Sequence, residues 1–133
     1  MGQPAAKDGD QVVGTDTHIV LVPAGPSLVP TPLPHPFVGQ LDSGFASSVQ
    51  IEGKAAAVVG STAKHSAGHV PTPPGTSFQT PPSNQGSVQM GSSSVLAEGK
   101  GLARNGDTVQ TCNDPADAPT SSIVAAGTVL VGG

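Results

Sequence analysis

The sequence predicts an all-β fold of short strands and tight turns. Gly and Pro account for 18 and 14 of the 133 residues, and they interrupt almost every window of ten residues. No segment sustains the 3.6-residue hydrophobic period of an amphipathic helix. Short apolar runs instead lie between Gly, Pro, Asn and Asp, as strands lie between turns. We therefore expect residues 1–133 to form a single all-β domain.

A repeated segment organises the chain. Residues 47–62 return as residues 93–108, at an offset of 46 and with nine identical positions. A shorter copy opens the chain, where residues 6–12 parallel residues 103–109, and residues 127–133 echo the apolar start of the repeat. Three copies, one of them split between the two chain ends, predict a closed pseudo-three-fold arrangement. In it the C-terminal strand completes the N-terminal unit.

Each predicted strand is short and bounded by turn residues. Glu52-Gly53 and Glu98-Gly99 each separate two short runs, which predicts hairpins with a tight Gly turn. The predicted strands are Gln11–Val13, His18–Val22, Ser48–Ile51, Ala55–Val59, Gly86–Met90, Ser94–Ala97, Thr108–Thr111, Ile123–Ala126 and Thr128–Val131.

Two Pro-rich stretches, Pro23–Pro36 and Val70–Pro82, predict long loops, and both contain the string Val-Pro-Thr-Pro. One interpretation is a pair of linkers or polyproline ligands for a partner domain. The other is a pair of stiff, extended walls, because proline restricts the backbone before folding. His35 lies in the first stretch and His69 precedes the second. We favour rigid walls because the string recurs beside a His both times.

Charge and composition disfavour several classes of function. The net charge is −4 with five Lys and Arg, and there is no Trp or Tyr. A basic stripe and a stacking platform for nucleic acid are therefore both missing. No apolar run reaches about 18 residues, so we expect no stable membrane insertion. The first residues lack the basic start and apolar run of a signal peptide, which predicts synthesis and folding in the cytoplasm.

The small apolar content predicts a thin core that needs a further source of stability. Because the chain has one Cys, that source is not an internal disulfide. A metal ion is the alternative, and imidazole with thiolate favours Zn²⁺. Zinc takes four ligands, so one of the five His and Cys residues is surplus. The sequence predicts the ligands His18, His35, His69 and Cys112, with His65 in reserve. Four protein ligands leave no position for water, which is typical of a structural site and predicts no enzymatic activity.

At this point the chain resembles a known family, the Pro-Ala-Ala-Arg (PAAR) repeat proteins, and most closely a PAAR-like branch with a long Pro-rich insertion. The resemblance rests on three degenerate copies of the motif and on the closing segments Thr111–Asp114 and Gly127–Gly132. None of the copies reads Pro-Ala-Ala-Arg in full. The copies are Pro4-Ala5-Ala6-Lys7 with Gly9-Asp10, Gly53-Lys54-Ala55-Ala56-Ala57 with Gly60-Ser61, and Gly99-Lys100-Gly101-Leu102-Ala103-Arg104 with Gly106-Asp107.

The resemblance implies a small cone of short strands with zinc near its tip, held by three His and one Cys. Such cones cap and sharpen the trimeric β-helical (VgrG-like) spike of a type VI secretion system or a related contractile injection machine. The resemblance also implies that one chain binds each trimer, that secreted effectors dock on it, and that it is released with the spike into the target. His18 matches the His of the first copy, Cys112 matches the Cys of the last, and His35 falls in the insertion. The alternative functions are a free-standing zinc-stabilised adaptor recognised through its Pro-rich loops, and a small metalloenzyme.

Overall fold

The computed structural model describes residues 2–132, so Met1 and Gly133 of the predicted 1–133 domain lie outside the described residues. All regular secondary structure in residues 2–132 is β-strand, which confirms the all-β prediction. No helix in this range has the length and hydropathy needed to cross a bilayer. The strands are β1 (Gln3–Pro4), β2 (Gln11–Ala24), β3 (Ser27–Ser43), β4 (Ala46–Ile51), β5 (Lys54–Ala56), β6 (Thr62–His65), β7 (Ser77–Phe78), β8 (Gln85–Val88), β9 (Leu96–Ala97), β10 (Lys100–Gly101), β11 (Thr108–Thr111), β12 (Ala118–Val124) and β13 (Leu130–Val131).

A closed cycle of backbone hydrogen bonds joins three buried alanines. Ala6 N–H donates to Ala103 O at 2.9 Å, Ala103 N–H donates to Ala57 O at 2.9 Å, and Ala57 N–H donates to Ala6 O at 3.0 Å. All three side chains are fully buried. We call residues 5–10, 56–61 and 102–107, which contain these alanines, the ring segments. Only small side chains fit where three backbones meet this closely, because protein interiors are packed without spare volume.

Each ring segment contains a turn in which a side-chain oxygen accepts a backbone hydrogen bond. The residue after the central alanine donates its N–H to a side-chain oxygen three residues further on, as Asp and Ser side chains commonly do in turns. Ser61 supplies a hydroxyl where the other two segments supply a carboxylate. The three pairs are Lys7 with Asp10 (2.9 Å), Val58 with Ser61 (2.9 Å) and Arg104 with Asp107 (2.8 Å).

A closed antiparallel barrel rises from one side of the ring segments. Six strands pair in the order β12-β11-β8-β6-β3-β2, β12 pairs with β2 to close the circle, and β7 lies beside β2. Three strand pairs make up the barrel, β2–β3, β6–β8 and β11–β12, and each begins directly after a ring segment. Their returning strands meet the ring segments again, through bonds from Gly9 to Leu41 O, Gly60 to Val88 O and Gly106 to Ile123 O.

Three short hairpin-like pairs lie on the other side of the ring: β4–β5, β9–β10 and β1–β13. The first two contain the predicted tight turns, and Gly53 and Gly99 adopt φ of 82° and 81°, which favours glycine. In the third, Gln3 pairs with Val131, so the C-terminal strand completes the N-terminal unit as predicted. We call the face formed by these three pairs the base.

Two cores lie on opposite sides of the ring, because successive residues of an extended segment point to opposite faces. Ala6, Ala57 and Ala103 face the barrel core, which also contains Phe37 and Leu41. The residues just before these alanines face the base core, whose members are Ala5, Ala46, Ile51, Ala56, Val58, Ala97, Leu102 and Val131. The ring therefore separates a barrel layer from a base layer.

The prediction that Pro23–Pro36 forms a loop is wrong. Residues 27–43 are the single strand β3, which pairs with β2 over 14 consecutive positions. For the same reason the predicted strands Gln11–Val13 and His18–Val22 are parts of one strand. The proline spacing explains how a strand tolerates four prolines.

Pro30, Pro32, Pro34 and Pro36 occupy every second position of β3, so their nitrogens all face the same edge of the strand. The carbonyls of Pro34 and Pro36 accept hydrogen bonds from Thr72 Oγ1 (2.8 Å) and His65 Nε2 (3.1 Å) rather than from β2. That edge is therefore the one away from β2, where a missing N–H does not interrupt the ladder. In the second Pro-rich stretch, residues 70–82, the regular structure is confined to β7.

The capping hydroxyl of Ser61 provides a test of the ring. Ser61 is fully buried, its Oγ accepts the Val58 N–H and it donates to Gly44 O at 3.0 Å. Ser61→Ala leaves a buried donor and acceptor unpaired, so we expect a loss of about 1–3 kcal/mol in the free energy of unfolding, measured by urea denaturation. Ser66→Ala, at an exposed position after β6, is the matched control and should change stability little. Equal effects of the two substitutions would contradict this account.

Candidate metal centre

Two polar side chains lie on the interior face of β2. Positions 12, 16, 18 and 20 of this strand are buried, as expected where alternate residues face the barrel. Val12 and Val20 suit that environment, but Asp16 and His18, at 0% and 1% exposure, do not. Buried ionisable groups are costly unless they are paired or bind a metal ion. Their position within the barrel therefore points to a functional or structural centre.

Cys112 approaches these residues from the end of β11. Its backbone N–H donates to Gln85 O at 3.1 Å, which fixes the segment beside β8. The buried Sγ lies 3.6 Å from His18 Nε2 and 3.6 Å from Asp16 Oδ2. The thiol therefore contacts both polar residues of β2.

His69 joins them from the connection between β6 and β8. Its N–H donates to Asn84 Oδ1 at 2.8 Å, which holds the loop across the end of β6. Its Nε2 lies 2.9 Å from Asp16 Oδ2, and the His69 and His18 ring centroids are 4.7 Å apart. The His69 side chain is 1% exposed, so this contact is also shielded from water.

These four residues form a group that could hold a metal ion. One ligand atom from each of Asp16, His18, His69 and Cys112 lies within 4.8 Å of every other. A tetrahedral ion with ligands at about 2.0–2.3 Å separates its ligand atoms by about 3.3–3.7 Å. The two contacts of Cys112 Sγ at 3.6 Å match that separation. The structure thus brings together three of the four predicted ligands, with Asp16 in addition.

His35, the fourth predicted ligand, is buried beside this group but is not part of it. Its Nδ1 donates to Leu33 O at 2.8 Å, and its Nε2 accepts the Thr72 N–H at 3.0 Å. A carbonyl only accepts and an N–H only donates, so both ring nitrogens are engaged by the backbone. In the described geometry Asp16 takes the place that the sequence analysis gave to His35.

His65, the predicted reserve ligand, lies behind His69 and also outside the group. Its Nε2 lies 3.1 Å from the Pro36 carbonyl, and its ring contacts His69 with centroids 4.5 Å apart. Its Nδ1 is buried and has no hydrogen-bond partner within residues 2–132. His65 therefore supports the position of the His69 ring.

The residues after Cys112 form hydrogen bonds to β2 beyond Gly14, where its pairing with β12 ends. Asn113 Oδ1 accepts the Thr17 N–H at 2.6 Å, and Asp114 Oδ2 accepts the Ile19 N–H at 2.9 Å. Asp114 Oδ2 also lies 3.4 Å from His18 Nδ1. A carboxylate beside the second nitrogen of a His is a common way to orient a metal ligand. This segment therefore fixes the strand and places a carboxylate beside the His18 ring, whose Nδ1 has no hydrogen-bond partner within residues 2–132.

Burial shifts the pKa values of Cys112 and His69 and of the neighbouring His35. Burial, with a smaller contribution from Asp16, raises the pKa of the Cys112 thiol to about 11. Burial also lowers the pKa of His35 and of His69 below the ordinary value of 6.5. Neutral imidazole is the form that binds a metal, whereas the thiol must lose its proton when the ion arrives.

Sequence reasoning missed Asp16 as a member of the group. The signal was its spacing from His18, since residues two apart on a strand share a face. Dividing β2 into two shorter strands concealed that relation. Phe78 of β7 was also missed; its ring covers the group, with centroids 5.7 Å from His18 and 5.3 Å from His35.

Comparison with known proteins found no relative of this chain. No protein-family model matches it, and searches of curated proteins and of solved structures gave no significant match.

The lowered pKa values of the buried histidines predict an acid-sensitive metal-free protein. Between the pKa in the folded protein and about 6.5, the unfolded chain binds more protons than the folded protein, so stability rises with pH there. The contribution is fully present above about 6.5 and is lost as pH falls below it. In chelator-treated protein, the urea midpoint should therefore decrease from pH 7.5 to pH 5.5. A midpoint that is constant or rises over this interval would contradict the prediction.

Proposed function

We propose that this chain is the zinc-stabilised tip of a trimeric β-helical spike in a contractile injection machine such as a type VI secretion system. The observation that carries the proposal is the closed cycle of hydrogen bonds among Ala6, Ala57 and Ala103. It joins three segments of one chain, which we take to be three approximate repeats. A single subunit built in this way can make similar contacts to all three subunits of a symmetric trimer.

The base supplies an apolar contact surface for that trimer. Leu96 of the second pair is 59% exposed and the preceding Val95 39%, while Leu130 of the third pair is 60% exposed and the preceding Val129 40%. Val49, at the equivalent position of the first pair, is half-buried against the base core. Exposed apolar residues clustered on one face commonly mark a site of protein interaction. We assign this face to the end of the spike.

Zinc would act as the clamp of the barrel. Asp16 and His18 come from β2, His69 from the β6–β8 connection and Cys112 from the end of β11, so one ion would cross-link all three strand pairs of the barrel. Structural zinc can contribute on the order of 10 kcal/mol to folding. Such a clamp gives a small domain rigidity without a large core, which suits a tip that is driven through a membrane.

Two observations weigh against the other functions considered. An adaptor recognised through a polyproline helix needs a free Pro-rich segment. Pro30–Pro36 lie in β3 and pair with β2, which leaves the second stretch, residues 70–82, for that role. A catalytic zinc site keeps one position open for water, whereas four protein groups converge here. On the proposed function the chain is made in the cytoplasm and leaves the cell as part of the spike. Separate effectors would then be carried on its exposed surface.

Removal of zinc tests the clamp. The purified chain should contain about one zinc ion, and chelation should lower the melting temperature by well over 10 °C, because the ion joins strands distant in sequence. Cys112 should resist thiol reagents until the metal is removed, and Cys112→Ser should lose most of the bound zinc. Rapid labelling of Cys112 in the zinc-loaded protein, or unchanged melting after chelation, would overturn the clamp.

Substitution of the base tests the docking surface. Leu96→Asp with Leu130→Asp adds charge at exposed positions, so the variant should fold and bind zinc but lose co-purification with a trimeric β-helical spike protein of the same cell. The matched control is Leu28→Asp with Val29→Asp, two exposed residues near the far turn of β2–β3. The expected stoichiometry is one chain per three spike subunits. Three chains per trimer, or equal capping by both variants, would exclude the proposed surface.

A further inference from the structure

We infer that Asp16, and not a third histidine, is the fourth protein ligand of the metal ion. The inference rests on the zinc site proposed above but not on the spike partner. It departs from the set of three His and one Cys that the family resemblance implies.

The two oxygens of Asp16 have different surroundings. Oδ1 accepts hydrogen bonds from the Thr111 hydroxyl, from the Thr120 hydroxyl at 2.9 Å and from Asn113 Nδ2 at 3.5 Å. Oδ2 faces His69 Nε2 and Cys112 Sγ, two other members of the group. Donors on one oxygen fix the orientation of a carboxylate and leave the other oxygen free to bind a metal, as in many metal sites.

Asp16 also lacks another positive partner. It is fully buried, and among residues 2–132 neither Lys nor Arg forms an ion pair with it. Its ion-pair contact within these residues is with His69, whose Nε2 lies 2.9 Å from Asp16 Oδ2. A carboxylate at this depth is stabilised by hydrogen-bond donors, which Oδ1 has, and by a positive charge, which a metal ion at Oδ2 would supply. Direct coordination brings the carboxylate to about 2.0–2.2 Å from a zinc ion, the closest approach of the two charges that is available.

His35 serves a different purpose in the same geometry. Its ring joins the Leu33 carbonyl on β3 to the Thr72 N–H in the connection that contains His69. To bind the ion through Nε2, His35 would have to abandon the Thr72 N–H. We therefore assign His35 as a positioning residue that holds the His69 loop against β3.

X-ray absorption at the zinc edge of the zinc-loaded full chain decides between the two ligand sets. Scattering from imidazole rings counts the bound histidines directly, and the native protein needs no substitution for this measurement. We expect two imidazoles, one sulfur and one further oxygen. Three imidazoles would overturn the inference while leaving the zinc clamp and the spike function intact.

A pair of variants gives an independent test by competition titration with a zinc chelator. Asp16→Asn keeps the shape and the hydrogen-bond acceptor Oδ1 but removes the charge, so zinc affinity should fall at least about tenfold. His35→Gln retains a polar group near Thr72, so it should keep two imidazoles in the absorption spectrum and lose less zinc affinity than Asp16→Asn. The opposite ranking of the two variants would overturn the inference. If Asp16→Asn does not fold, the imidazole count of the native protein still decides.

Discussion

The structure depends on the hydrogen-bond cycle that joins Ala6, Ala57 and Ala103. These bonds bring three distant parts of the chain to one point and leave no room there for larger side chains. The residues on either side then face opposite layers, which separates the barrel core from the base core. The barrel strands start where the ring segments end. The position of every strand that carries a candidate metal ligand therefore follows from this cycle.

Distance from the ring explains why polar residues occupy this level of the barrel. Near the ring, β2 is flanked by β12 and β3, and Val12 packs in the barrel core. The pairing with β12 ends at Gly14, and from there Asn113 and Asp114 hold β2 through side chains. Apolar core gives way to Asp16, His18, His69 and Cys112 at this level. An ion bound there would replace the apolar packing that the barrel lacks.

Much of the base and ring could be predicted from the sequence, because local signals determine them. Glu52-Gly53 and Glu98-Gly99 have the short spacing and the glycine that tight hairpins require, and both hairpins are present. The Pro-rich segment could not be predicted from composition, because the strand it forms depends on which edge its nitrogens face. That edge is defined only by the pairing with β2. For a related reason the sequence predicts His35 as a ligand and does not indicate Asp16. Burial and hydrogen bonding across strands distinguish these two residues, and both properties depend on the folded structure.

The closure of the barrel has a consequence for how the chain acquires its structure on the ribosome. The β2–β3 hairpin pairs residues close in sequence and can form early. The β2–β12 pairing joins Val12 to Ile123, and the alanine cycle needs Ala103, so neither can form until most of the chain has been synthesised. A topology of such high contact order folds slowly and exposes unpaired strand edges while it waits. The nascent chain is thus vulnerable to aggregation during elongation, and the prolines on the outer edge of β3 protect one of its two long strands during this interval.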